Sequence, residues 1–284
     1  MLALLNLTKP RISLLFAITA LAALLLEGSL SLTSLHLWMI VFSVFLVGGC
    51  ANAFNQYFER DLDEKMIRTA QRRPLPLKKI SPNQALVFTI LIGILGLQLL
   101  YTWGGGFAFG LGLFTILFYS FFYTLYLKPK TPYNIVIGGV AGAMGPLIAW
   151  AAVQNTVSWE AWVLFLIIFM WTPPHFWALA IYYKEDYEKI GLPMLPVVKG
   201  VRATQVQILA YSVFLLPLSL LLTFSEKLGW FYLAVSFLVN IYFIKKAFDV
   251  YQSNTRQVAY RLFALSIGYL FILLLALMLD ATVV

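Results

Sequence analysis

The length of its apolar runs constrains this chain more than any other feature. Nine stretches, at about 12–28, 35–58, 84–102, 107–127, 134–153, 159–183, 204–224, 228–248 and 259–280, are long and nearly free of charge. Crossing a bilayer core of about 30 Å takes roughly 20 residues of helix, and only helices or closed barrels satisfy the backbone there. Barrel strands are short and alternate in character, whereas these runs are continuous. The expected fold is therefore all-α: a polytopic membrane protein of nine transmembrane helices, forming one integral-membrane domain over residues 1–284. With 61% hydrophobic and 11% charged residues, the chain is too poor in charge for a water-soluble domain, where about a quarter of residues are charged. Pro10, Pro82, Pro129, Pro132 and the Gly104–Gly106 run mark helix ends, with Ser81 and Ser158 as caps.

Charge placement gives the sidedness. Alternating the connections puts the N-terminal segment, the loops at about 59–82, 128–133 and 184–203, and the segment at about 245–261 around the 249–258 loop on one side. That side carries 19 of the 20 Lys and Arg residues, Lys227 being the exception, and eight of the 12 acids. The positive-inside rule then predicts a cytoplasmic N-terminus. The net charge of +8 is read as topology rather than nucleic-acid binding, and the expected partner is the lipid bilayer. Lys9 and Arg11 precede the first run as in a signal peptide. No A-x-A-like cleavage site follows, so the run is read as a permanent helix, in a bacterial plasma (inner) membrane. The single cysteine, Cys50, lies inside the second run and excludes an internal disulfide.

Two polar clusters sit on the basic side. In the first, Asn55, Glu59 and Asp63 follow one another at i, i+4 and i+8. If the second helix runs on, that spacing puts a carboxamide and two carboxylates on one face. Like charges so stacked repel unless a cation lies between them. Oxygen ligands of this kind suit Mg²⁺, which is usually held by one or two carboxylates together with substrate phosphates. Arg68, Arg72 and Arg73 follow, and guanidinium groups suit phosphate oxygens. The competing reading is a solvated loop with ordinary salt bridges. In the second cluster, Pro173 and Pro174 predict a kink or unwound turn in the sixth span. His175 comes directly after them, and Tyr182 and Asp186 fall on its face at 100° per residue. Ionisable residues inside a membrane are functional candidates; the alternative is a packed, hydrogen-bonded histidine. Both clusters end an even-numbered span, which suggests two parallel halves around a central cavity. Its aromatic residues would be suited to flank a carbocation.

The Asn55-x-x-x-Glu59-x-x-x-Asp63 stretch resembles the first acidic motif of the UbiA superfamily of intramembrane prenyltransferases. Further strings resemble the branch of that family that farnesylates haem. They are Leu7–Ile12, Asp61–Thr69, Arg73–Leu75, Thr131–Gly139, Thr172–Ile181 and Gly191–Val197. The family usually has Asp where this chain has Glu59, and a second motif of two aspartates where it has Asp186 flanked by Glu185 and Glu188.

The resemblance implies a nine-helix enzyme that uses one or two Mg²⁺ ions and takes farnesyl diphosphate and haem b as substrates. It would add the farnesyl group, with water, to the 2-vinyl group of haem b, giving haem O and diphosphate. It implies Asn55, Glu59, Asp63 and Asp186 as the catalytic and metal-holding set. Arg68, Arg72, Arg73, Lys128 and Lys130 would bind diphosphate, and His175 would bind haem. Contact with haem A synthase or a terminal oxidase is a further implied option. The alternatives are a related prenyltransferase with an aromatic or quinone-precursor acceptor, a transporter, and a haem-handling assembly factor.

Overall fold

The structure, a computed structural model, describes residues 2–253 and 255–283; the Arg68 side chain lies outside the described residues. Among the described residues there are helices and turns but no strand. A short α1 (Leu2–Leu7) precedes α2 (Pro10–Glu27) and α3 (Leu35–Phe58), and the loop that follows holds α4 (Arg60–Asp63) and α5 (Ile67–Ala70). Next, α6 (Pro82–Leu117) runs on into a π-helix, Phe118–Leu127. Then come α7 (Asn134–Ala143), α8 (Gly145–Gln154), α9 (Trp159–Tyr182), α10 (Lys184–Lys189) and α11 (Leu195–Val198). The chain ends in α12 (Gly200–Leu221), α13 (Trp230–Gln252) and α14 (Arg256–Val283).

Among the described residues, eight helical runs are long and apolar enough to cross a membrane, against the nine expected. The difference lies in Pro82–Leu127, a run of 46 residues that contains the third and fourth expected spans. It is broken at Gly105, whose φ of 76° and ψ of −178° lie in a region that only glycine occupies without strain. Each arm is then about 30 Å long or slightly more at 1.5 Å per residue. The start of the run is fixed locally. Ser81 Oγ accepts from Gln84 N at 3.2 Å, Ser81 N donates to Gln84 Oε1 at 3.0 Å, and Pro82 opens the first turn. Ser158 caps α9 in the same way by accepting from Ala161 N at 3.4 Å.

The chain forms two compact units. The first takes in the residues up to Leu24, Ser29–Pro129 and Met144–Val157; the second takes in Leu25–Gly28, Lys130–Ala143 and the chain from Ser158 onward. In the first unit α3 and α6 meet through small residues. A Cβ on Gly93 would lie 2.7 Å from Cys50 Sγ, and one on Gly96 3.2 Å from the Val47 backbone nitrogen. Lipid tails are as apolar as leucine, so this close backbone approach and the dispersion it gains hold membrane helices together. Leu91 and Ile94, on the outward face of α6, are exposed, as lipid contact requires.

In the second unit α9 packs against α7, α12 and α14, and α13 packs against α12 and α14. A buried polar network joins the last three helices. Asn240 Nδ2 donates to Ser219 Oγ at 2.7 Å, Tyr269 OH donates to Asn240 Oδ1 at 2.8 Å, and Tyr232 OH donates to the Ser219 carbonyl at 3.0 Å. Groups so buried need such partners. Of the kink or unwound turn expected at Pro173 and Pro174, the unwound turn is absent, since α9 is helical from Trp159 to Tyr182 with both prolines inside it. The fixed φ of proline, about −65°, is itself helical, and the Thr172 hydroxyl adds a 2.8 Å bond to the Ile168 carbonyl in the turn before.

Candidate active site

The first cluster assembles entirely within the first unit. Although α3 ends at Phe58, the backbone ladder continues past it, from Glu59 N to Asn55 O at 3.0 Å and from Asp63 N to Glu59 O at 2.8 Å. Asn55, Glu59 and Asp63 therefore stay on one face, and all three are buried. Arg73 Nη1 lies 3.4 Å from Glu59 Oε2 and is paired with Asp63 Oδ2; Lys128 Nζ is paired with Glu59 Oε1. The π-helix positions Lys128, whose N–H reaches back five residues to Tyr123 O at 2.9 Å.

A third basic residue completes the group. Lys9 Nζ donates to Asn55 Oδ1 at 2.9 Å. Asn55 Nδ2 donates in turn to Thr124 Oγ1 at 3.2 Å, while the Thr124 hydroxyl donates to Tyr119 O at 2.7 Å. Because Thr124 spends its proton on Tyr119, it accepts from Asn55. That fixes the carboxamide with its oxygen toward Lys9. Lys9 has a left-handed φ of 48°, a conformation that costs a non-glycine residue of order 1 kcal/mol or more and tends to mark functional sites. Sequence reasoning missed Lys9 and Thr124. The one local signal for Lys9 was its place immediately before Pro10.

Burial and charge set the protonation of these groups. Burial pushes the Glu59 carboxyl up, but Lys128 and then Arg73 outweigh it, so it lies below the ordinary glutamate value. Asp63 goes the other way. Burial raises it and Glu59 adds to the rise, and the pull of Arg73 does not cancel them. Lys9 lies well below the ordinary lysine value, driven first by burial and then by Arg73, with Glu59 pulling against them. Two adjacent acids are thus held at different proton affinities, beside a lysine disposed to be neutral.

Asn55 Oδ1 and the two carboxylates form a hard-oxygen donor set, and Arg73 and Lys128 already place positive charge on it. That set fits Mg²⁺, which needs only one or two carboxylates beside substrate phosphates. Phe54, Phe58 and Phe121 form a ring cluster alongside, with centroids 5.3–5.9 Å apart. Of the other expected diphosphate residues, Arg72 is exposed, and it is absent from the hydrogen bonds and ion pairs of Glu59 and Asp63. Lys130 is exposed and belongs to the second unit, and the Arg68 side chain lies outside the described residues.

The second cluster belongs to the second unit. His175 is buried, stacked on Trp171 at 4.5 Å and 18°, with Phe263 at 4.6 Å and Phe176 at 4.8 Å. Its Nδ1 lies 2.6 Å from Ser266 Oγ, and that hydroxyl also lies 2.6 Å from the Phe263 carbonyl, to which it donates. Ser266 must then accept from His175, which assigns the proton to Nδ1 and leaves Nε2 with a lone pair. Tyr182 continues the stripe against Tyr260 at 4.7 Å. Asp186, in α10, is half-buried, while its neighbour Glu185 pairs with Arg256 at 3.0 Å.

The UbiA prenyltransferase family matches residues 16–275. The chain belongs to that family. Two relatives named protoheme IX farnesyltransferase match nearly end to end. That of Symbiobacterium thermophilum is 43% identical over 282 residues, covering 97% of this chain and 93% of its own. That of Gloeobacter violaceus is 44% identical, covering 97% and 90%. Among solved structures, the fold is similar to one described as digeranylgeranylglyceryl phosphate synthase, with a TM-score of 0.81 at 23% identity over 99% of this chain and 98% of that one. It is also similar to a UbiA homologue from Archaeoglobus fulgidus bound to GPP and Mg²⁺, with a TM-score of 0.66 at 16% identity, covering 95% and 99%. The chain is accordingly a multi-pass membrane prenyltransferase.

Proposed function

We propose that this enzyme transfers the farnesyl group of farnesyl diphosphate to the 2-vinyl group of haem b, with addition of water, to give haem O and diphosphate. The observation that carries this reading is the identity of 43% and 44% over 97% of the chain to two proteins named protoheme IX farnesyltransferase. The bond from farnesyl C1 to oxygen breaks, with its electron pair leaving on the diphosphate. The vinyl CH₂ carbon forms the new bond to C1. The cation left beside the porphyrin takes up water and loses a proton.

Asn55, Glu59 and Asp63 would hold Mg²⁺, as its presence with GPP in the Archaeoglobus fulgidus homologue suggests. Bound there, the ion would supply charge neutralisation for the leaving diphosphate. Arg73 and Lys128 are our principal diphosphate-binding residues, with Arg68, Arg72 and Lys130 as outer candidates. Both principal cations are paired with Glu59 and Asp63, which places their donors beside the carboxylates that would hold the metal and within the group that would meet the phosphate oxygens. We assign His175 to haem through the Nε2 lone pair, and Asp186 of the second unit as a further acid needed for turnover. The inner membrane, with the N-terminus and the acidic cluster on the cytoplasmic side, is the location that the charge asymmetry supports.

The test is turnover of the purified chain in lipid with farnesyl diphosphate, haem b and Mg²⁺, following diphosphate release and the mass of the porphyrin product. Haem O is expected. Diphosphate release with haem unchanged and an aromatic or quinone precursor prenylated instead would replace the acceptor. No release with either acceptor would overturn the enzymatic reading of these residues.

A further inference from the structure

The second unit carries a cavity of about 390 Å³ where the last turns of α13 meet the first turns of α14. Its polar wall includes Lys246, Asp249 and Arg261; its apolar wall is Val258, Leu262 and Leu265. Lys246 Nζ donates to Asp249 Oδ2 at 2.8 Å, which accounts for the one acid. Arg261 is exposed and makes no hydrogen bond or ion pair among the described residues. It lines the same pocket as Lys246 and Asp249, so two cations share a single acid there and the Arg261 guanidinium is left to an anion from outside the chain. One turn further along α14 than Arg261, the lining is Leu265. Arg261, Leu265 and Gly268 follow at i, i+4 and i+7 on one stripe of α14, and the position where a Cβ of Gly268 would sit is open space. Both helices are long and apolar enough to span a membrane.

We infer that this pocket binds an anionic glycerophospholipid, with its phosphate between Lys246 and Arg261 and an acyl chain along Leu265 and the open stripe at Gly268. A cationic rim above an apolar groove, between two membrane helices, matches the amphipathic order of such a lipid. Basic pockets in that position recognise anionic headgroups. A soluble phosphate would use the rim and leave the groove empty. The acidic cluster of the first unit takes no part, so this site stands apart from the proposed reaction.

Native mass spectrometry of the full chain, released from detergent with equal phosphatidylglycerol and phosphatidylcholine, tests the assignment. One phosphatidylglycerol is expected to remain bound in preference to phosphatidylcholine. Each basic residue near a lipid surface contributes about fivefold. Lys246→Gln with Arg261→Gln should therefore lower retention about 25-fold. Arg261→Gln alone, which spares the Lys246–Asp249 pair, should lower it about fivefold and serves if the double variant does not fold. Lys65→Gln with Lys79→Gln, the same charge change at exposed positions of the first unit, should leave retention unchanged. Wild-type retention in the Arg261→Gln chain overturns the site. Displacement of the lipid by millimolar sn-glycerol 3-phosphate overturns the lipid and makes the pocket a soluble-phosphate site.

Discussion

Arg73 is the shared counter-ion of two buried carboxylates, and replacing it with glutamine isolates that role. Its side chain is 14% exposed, against 6% for Glu59 and 2% for Asp63, so solvent screens the group little. At 3.4 Å from Glu59, a unit pair at an effective dielectric of 20 is attracted by about 5 kcal/mol. Removing one partner of a buried pair costs about 3–5 kcal/mol overall. Asp63, already above the ordinary aspartate value because it is buried, limits the loss by taking up a proton. We expect Arg73→Gln to lose about 3 kcal/mol at pH 7. The sign of the pH dependence follows from the direction of the shift. A carboxyl whose folded pKa is raised favours the folded state at low pH and loses that advantage as pH rises through the folded value. The deficit should therefore shrink by up to about 1.4 kcal/mol per pH unit on acidification through the interval between the variant's folded Asp63 value and the wild type's own raised value. Mg²⁺, no longer competing with a guanidinium, should restore about 2.7 kcal/mol at a hundredfold excess over its dissociation constant. Thermal denaturation in lipid nanodiscs from pH 5 to 8, with and without Mg²⁺, measures both effects. A variant that melts like the wild type, with the same pH slope and the same Mg²⁺ response, would refute Arg73 as the counter-ion.

Other perturbations separate the remaining roles. Asp63→Asn should abolish Mg²⁺-dependent diphosphate release while leaving the helical circular dichroism intact; retained activity sinks the metal assignment. His175→Ala should weaken haem binding in a spectral titration and leave farnesyl diphosphate binding nearly unchanged, whereas equal loss of both removes its specific role. Lys9 lies well below its ordinary value of 10.5 because it is buried. Between its folded pKa and 10.5 the unfolded chain thus binds one more proton, and stability rises with pH by about 1.4 kcal/mol per unit. Lys9→Met should flatten that rise by up to one proton on the alkaline side, just below 10.5, and identical slopes in the two chains would count against a neutral Lys9.

Local periodicity carried much of this into view. Asn55, Glu59 and Asp63 were legible as one face because the i→i+4 ladder needs only neighbouring residues, and it persists where the regular helix stops. Arg73 was legible because it closes the same loop. Lys9 and Thr124 were not, because they reach Asn55 across 46 and 69 positions and only tertiary packing brings them there. Lys128 was expected near phosphate on the strength of its charge, but the π-helix that turns it toward Glu59 has no sequence signature. The expectation of a kink or unwound turn at Pro173 and Pro174 weighed the missing N–H groups; the helix stays wound there because proline φ is already helical. The eight long runs differ from the expected nine at Gly105 alone, where one glycine conformation separates two spans without ending the helical run.

The π-helix makes one stretch of this membrane protein sensitive to length rather than to composition. A segment bonded i to i+5 carries its side chains around the axis more slowly than an α-helix does. Removing a single residue from Phe118–Leu127 would change both the bonding pattern and the rotation that carry Lys128 to Glu59. The ammonium would leave Glu59 although every residue of the pair was still encoded. Many substitutions at the lipid-facing rings of this segment, such as Phe121 and Phe122, should be tolerated there, while an in-frame deletion of one codon should not. The number of residues between Phe118 and Lys128 therefore matters to the Lys128–Glu59 pair as much as the identity of either partner.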